Sequence, residues 1–192
     1  LKIFSNLYAR VMVWAAHRHA PRYLAGLSFA ESSFFPIPPD VMLAPMTLAR
    51  PDRGLWLAGI TTVASVAGGV LGYLIGWLAI ETLEPWLVRA DYHEAYLAAR
   101  DWFDRWGFWA ILVAGFSPIP YKVFTIAGGA MLMFLPGFVL ASLLGRGGRF
   151  FLVAGLIMWG GAPMEGLIRR HVDTLGWLTV AALLAGYFWL QA

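Results

Sequence analysis

Long apolar stretches alternate with short charged ones along the chain. Residues Gly54 to Ile80 carry no charge, which is enough for one membrane-spanning helix. Residues 136–160 read as a second span, with Arg146 and Arg149 inside it, and residues 174–191 as a shorter, charge-free third. Two further apolar stretches, 24–49 and 107–135, are interrupted by prolines: Pro36, Pro38, Pro39 and Pro45 in the first, Pro118 and Pro120 in the second. No straight helix runs through Pro-Ile-Pro-Pro, because each proline removes an N–H and clashes with the preceding turn. Broken backbone at membrane depth is tolerated only where protein or a water-filled cavity surrounds it. Both stretches therefore predict a re-entrant hairpin: a helix in, a turn at the prolines, a helix out.

The polar segments read as membrane-surface elements. Residues 1–22 place Lys2, Arg10, His17, Arg18, His19 and Arg22 among aromatic and aliphatic residues, as a basic amphipathic helix in the headgroup plane does. Those early charges argue against a cleavable signal peptide. Residues 81–106 hold nine charges, from Glu81 to Arg105, and predict a surface helix with Trp86, Tyr92, Tyr96, Trp102 and Trp106 towards the interface. Residues 161–173 read as a polar link. Gly68, Gly72 and Gly76 form overlapping GxxxG motifs in the first span, which permits close helix approach.

Composition settles the class. The chain is 60% hydrophobic and 13% charged, where soluble domains have about 25% charged residues. Its mean hydropathy is +0.67. This polar material does not coat a soluble globule, so all 192 residues read as one polytopic, all-α membrane domain. The net charge of +3 is no nucleic-acid stripe. The absence of cysteine removes disulfides, thiolate nucleophiles and Cys metal sites. No two histidines among His17, His19, His93 and His171 share a metal face with a carboxylate, so neither a metal nor another cofactor is expected. Walker, G-x-S-x-G and H-E-x-x-H motifs are missing, and the chain does not read as an enzyme.

The two proline turns align at an offset of 82 residues. Phe34-Phe35-Pro36-Ile37-Pro38-Pro39-Asp40-Val41 lies over Phe116-Ser117-Pro118-Ile119-Pro120-Tyr121-Lys122-Val123, with five of eight positions identical. The same offset sets Leu74-Ile75-Gly76-Trp77 on Leu156-Ile157-Met158-Trp159, with three of four identical. Two ungapped matches at one offset argue for a duplication, with repeat 1 at about 24–80 and repeat 2 at about 107–160. A hairpin makes no net crossing and a span makes one, so the second copy starts on the opposite side. That is an inverted-topology repeat, as in many secondary transporters. Lys2, Arg10, Arg18, Arg22, Arg50 and Arg53, with Arg169 and Arg170, share one side, and the positive-inside rule makes it the cytoplasm.

Five ionisable residues remain inside apolar segments: Glu31, Asp40, Lys122, Arg146 and Arg149. Each costs about 2.5–3.5 kcal/mol at a helix centre on insertion scales. Asp40 and Lys122 are equivalent under the repeat, which suggests a pair across the symmetry axis, either functional or merely a structural lock. Arg146 and Arg149 share one helix face. They read as an anion cradle for phosphate or carboxylate, or alternatively as salt-bridge partners of Glu31 and Asp40. Three cations against two carboxylates leave one positive charge for an anionic ligand. Glu31 and Asp40, desolvated, are also candidates for carrying protons.

Glu31 with Phe35-Pro36-Ile37-Pro38-Pro39-Asp40, then Gly115-Phe116-Ser117-Pro118-Ile119-Pro120-Tyr121-Lys122, then Gly145-Arg146-Gly147-Gly148-Arg149-Phe150, resembles the DedA superfamily of VTT (SNARE-associated) domain proteins, closest to its YqaA-like branch. The resemblance covers about residues 25–160. It implies two membrane-embedded re-entrant loops and movement of lipids between leaflets, with phospholipids or undecaprenyl phosphate as substrates. It assigns function to an acid before the first loop, an acid after its turn, and basic residues in and after the second: Glu31, Asp40, Lys122, Arg146 and Arg149. Many members carry Arg where this chain has Lys122, and lysine lacks the bidentate fork.

Three functions follow. The first is a lipid translocase or scramblase of the bacterial inner membrane, its headgroup cavity lying between the two turns (Pro36, Pro38, Pro39; Pro118, Pro120, Tyr121), with or without proton coupling. The second is an ion-coupled transporter of a small soluble solute, and the third a non-transporting assembly factor. A cavity open sideways to lipid separates the first from the second. Association with a partner or a second copy is left open.

Overall fold

The computed structural model describes residues 13–15, 17–35, 37–89, 93–117 and 120–160. Among these the chain is all-helical, with no strand. In chain order the helices are α1 (Ala20–Ser33), α2 (Asp40–Ala49), α3 (Gly54–Arg89), α4 (His93–Phe116), α5 (Tyr121–Ala130) and α6 (Leu135–Gly160). A single 3-10 turn, Pro51–Arg53, joins α2 to α3.

Proline chemistry sets the breaks. α1 opens with Pro21 in its first turn, where the missing N–H is an orphan anyway, and closes at Ser33, ahead of the proline cluster. α2 restarts at Asp40 directly after Pro39, with that carboxylate in its first turn, and ends before Pro51. α4 stops at Phe116, and α5 restarts after Pro120. Among the described residues two helices are long and apolar enough to cross a membrane, Pro51–Leu83 (the 3-10 turn with most of α3) and Leu135–Gly160 (α6). They run antiparallel. Gly54 faces Met158, Gly59 faces Phe151, Gly147 faces Thr62, and Ser65 meets Arg146, so position rises on one helix as it falls on the other.

Each broken segment lies beside one of these long helices and runs in its direction. On α1, the Ser28 hydroxyl donates to the Thr61 carbonyl at 2.7 Å, and Ser33 Oγ to the Gly68 carbonyl at 2.9 Å. Gly68 lets the α1 backbone at Phe29 come this close. Fourteen residues separate Gly54 from Gly68, so the tip of α1 stands about 21 Å along α3 at about 1.5 Å per residue. α2 then returns the chain to the base of α3, where Thr47 meets Gly54. On the other half, Gly145 packs on the α4 backbone at Leu112 and Gly148 on Phe116, which sets the end of α4 at a matching height on α6. Shifted by 82 residues, the first and last residues of α2 and the first residue of α3 fall within one position of those of α5 and α6. Gly76 and Gly129 bring α3 and α5 into backbone contact, Gly76 at Ile126 and Gly129 at Tyr73.

Two small apolar clusters result. One joins Leu24, Leu43, Met46, Leu57 and Phe150, the other Tyr73, Ile111, Tyr121, Met133 and Phe138. The outward faces of α3 and α6 stay apolar and exposed, from Val63 and Leu78 to Leu144, Leu152 and Trp159. This is the pattern of a lipid-facing wall, and it fits the two long apolar helices.

One expectation is corrected. Residues 81–106 are not one surface helix: 81–89 prolong α3 and 93–106 open α4. Charges mark where a helix leaves an apolar environment, but they do not end it, and no helix-breaking run precedes Glu81. Trp102 and Trp106 are exposed as expected, whereas Tyr96 is buried and donates from its hydroxyl to the Ala130 carbonyl at 3.1 Å. Of the amphipathic 1–22 segment, residues 20–22 already belong to α1. Residues 1–12, Pro36, the side chain of Trp86, Tyr92, Pro118, and the expected link at 161–173 and span at 174–191 fall outside what the structure describes.

Candidate functional site

The five charged residues gather where the two halves meet. α1 delivers Glu31 and α2 delivers Asp40; α5 delivers Lys122, and α6 delivers Arg146 and Arg149. The first half thus supplies only acids and the second only cations.

Arg146 is the deeper centre. Its Nη2 donates to Glu31 Oε2 in an ion pair whose side chains are 3% and 13% exposed. Its Nε donates to Ser65 Oγ on α3 at 2.6 Å. Ser65 Oγ in turn lies 2.6 Å from Ser32 Oγ, and Ser32 donates to Glu31 Oε2 at 3.1 Å. The guanidinium stacks between the rings of Tyr121, at 5.0 Å, and Phe150, at 4.7 Å. One ring belongs to each apolar cluster, so the cation lies on the seam between them, with a cation–π gain of about 0.5–2 kcal/mol. Tyr121 is held by its own hydroxyl, which donates to Ser142 Oγ at 2.5 Å; Ser142 donates onward to the Phe138 carbonyl at 2.7 Å.

Arg149 lies one turn on and is more open. It donates from Nη2 to Asp40 Oδ2 at 2.6 Å and from Nη1 to the Ser117 carbonyl at 2.7 Å. The two side chains are 21% and 22% exposed. Asp40 Oδ1 is buried and accepts no hydrogen bond from the described residues. Around this pair the tips present apolar side chains outward: Phe34, Ile37, Val41, Phe116 and Val123 are all exposed.

The expected Asp40–Lys122 pair is replaced by Asp40–Arg149. Lys122 instead donates from Nζ to the Phe34 carbonyl, at the end of α1, at 3.5 Å. The α6 guanidinium reaches the carboxylate and the Ser117 carbonyl together, a forked geometry that an ammonium does not offer. The arginines are thus ion-pair partners of the two acids, the alternative to a free anion cradle. The positive charge in excess belongs to Lys122. Of the turn residues, Pro38 and Pro120 are exposed and Pro39 is buried. Tyr121 serves the Arg146 centre.

Sequence reasoning missed Ser32 and Ser65, which close the buried network. Their only signal was weak: small polar residues recur at Ser28, Ser32 and Ser33 on one helix and at Thr61, Thr62 and Ser65 on the other.

The sequence matches the VTT domain over residues 37–158. It is 42% identical over 191 residues to an uncharacterized protein of Haemophilus influenzae, and each chain is covered in full. An uncharacterized protein of Histophilus somni is 41% identical over 192 residues, again across the whole of both. An uncharacterized protein of Methanocaldococcus jannaschii is 26% identical over 121 residues, which are 62% of this chain and 72% of that one. No solved structure matches the chain.

Proposed function

The chain belongs to the VTT-domain family of DedA membrane proteins, and from that premise we propose that it moves an anionic or zwitterionic lipid headgroup between the leaflets of the bacterial inner membrane. The observation that carries this reading is the open half of the charged centre. A partly exposed Asp40–Arg149 pair, with Lys122 as surplus cation, sits at the tips of two broken helices behind a rim of exposed apolar side chains. A phosphate-bearing headgroup meets a cation and an openable ion pair there, while its chains stay against Phe34, Val41 and Val123. A soluble solute is better served by a polar rim.

On this reading α1–α2 and α4–α5 are re-entrant hairpins, α3 and α6 are spans, and the two halves form an inverted repeat. The antiparallel course of α3 and α6, and the tip about 21 Å along α3, support it. The N-terminus lies in the cytoplasm. Asp40 Oδ1, buried and given no donor by the described residues, leaves that carboxylate the less satisfied of the two acids. The polypeptide performs no bond-making chemistry and needs no cofactor; its partner is the lipid, a phospholipid or a polyprenyl phosphate.

The test is transport by the purified protein in vesicles loaded on one leaflet with a labelled phospholipid or lipid phosphate. Accelerated exchange between leaflets is expected, and it should fall about tenfold or more in Lys122→Ala and Asp40→Ala. Folded protein that moves none of these lipids overturns the reading, and full activity in both variants removes the charged centre from it.

A further inference from the structure

Away from the charged centre, the end of the molecule where α1 and α3 begin carries two adjoining cavities. The larger, about 690 Å³, is lined by Trp14, Ala15, Ala20, Tyr23, Met42 and Met46, among others. That volume lies in the range of about 300–1,000 Å³ typical of small-molecule sites. The smaller, about 270 Å³, is lined by Arg18, Arg50, Arg53 and Trp56, among others. Ala15, His17 and Met46 line both, so one wall separates an apolar chamber from a basic one. Among the described residues its lining holds three arginines and no acid, and Asp52 touches Arg53 at 3.8 Å.

We propose that this end of the molecule holds one anionic phospholipid, with an acyl chain in the larger cavity and the phosphate among Arg18, Arg50 and Arg53. An amphiphile is the ligand class that fills both chambers at once, and the arginines select its sign. Trp14 and Trp56, both about half exposed or more, flank the two cavities at the level expected of interfacial indoles. The site shares no residue with the Glu31–Arg146 or Asp40–Arg149 pairs. It rests on the proposed reading only for the membrane placement of this face, and it requires no transport. It therefore stands or falls separately from the translocase reading.

Native mass spectrometry of the full chain, released from nanodiscs of equal phosphatidylglycerol and phosphatidylcholine, tests it. Phosphatidylglycerol should be retained about tenfold over phosphatidylcholine. Arg18→Gln with Arg53→Gln, at two exposed positions, should bring that ratio near one. Met42→Trp should fill the chamber and cut phospholipid retention about tenfold. Inorganic phosphate at millimolar concentration should not displace the lipid. Equal retention of the two lipids overturns the proposal, as does retention untouched by the arginine and tryptophan variants. Displacement by inorganic phosphate would mark a headgroup-only anion site. A tenfold rise in retention on deleting residues 1–12 would make that segment the chamber's occupant. Either result also overturns the proposal. Transport assays on the same variants read the translocase hypothesis independently.

Discussion

The two ion pairs of the charged centre are built from the same chemistry in different surroundings. Arg146–Glu31 is closed: two serine hydroxyls and two aromatic rings complete its surroundings, and water has little access. Arg149–Asp40, only three residues further along α6, is about a fifth exposed, keeps one carboxylate oxygen without a donor, and stands beside Lys122. A pair with every partner in place has nothing to offer a ligand. A partly exposed pair with an unmatched carboxylate oxygen and a neighbouring surplus cation can exchange partners. On the proposed function, the deep pair holds the two halves together and the shallow pair, with Lys122, meets the headgroup.

The largest expected effect tests the deep pair. Arg146→Met leaves Glu31 charged and buried, and should cost about 3–5 kcal/mol in thermal or denaturant unfolding of the detergent-solubilised protein. Adding Glu31→Met should recover much of that loss; a double variant no better than the single one would mean the two residues do not act as a pair. Next comes Asp40→Asn, which weakens a charge-assisted hydrogen bond for about 1.5–3 kcal/mol of stability while lipid exchange falls more than tenfold. Unchanged exchange would erase the proposed division of labour. Lys122→Ala should lower exchange about tenfold, which is about 1.4 kcal/mol of barrier, with little change in melting temperature. A melting point that drops as far as in Arg146→Met would make Lys122 a structural residue instead. The smallest effect is expected from Ser65→Ala, about 1 kcal/mol of stability from one lost hydrogen-bond partner, with exchange intact when assayed well below the melting temperature.

Much of this arrangement was readable from residue order. The proline breaks, the offset of 82 and the surplus of one cation all follow from the chain, and the described helix boundaries fit the offset. Who pairs with whom did not follow. Symmetry sets Asp40 opposite Lys122, but side-chain reach decides the pairing, and Arg149 approaches from α6 with a longer, forked group. Ser32 and Ser65 were invisible for a different reason: single hydroxyls in apolar helices carry no spacing signature, and their importance appears only once Arg146 reaches them both. The extension of α3 to Arg89 was obscured by its charges, which report the polarity of the surroundings rather than the state of the backbone.

The division of charge between the halves has a consequence for biosynthesis. Glu31 and its arginine are 115 residues apart. At roughly 5–20 residues per second of translation, the acid leaves the ribosome on the order of ten seconds before its partner exists. During that interval the α1–α2 segment holds two carboxylates without the α6 arginines that pair with them in the folded chain. A chain interrupted before α6 lacks both of those counter-charges, and such a truncation is expected to be degraded faster than the full chain in a pulse-chase measurement.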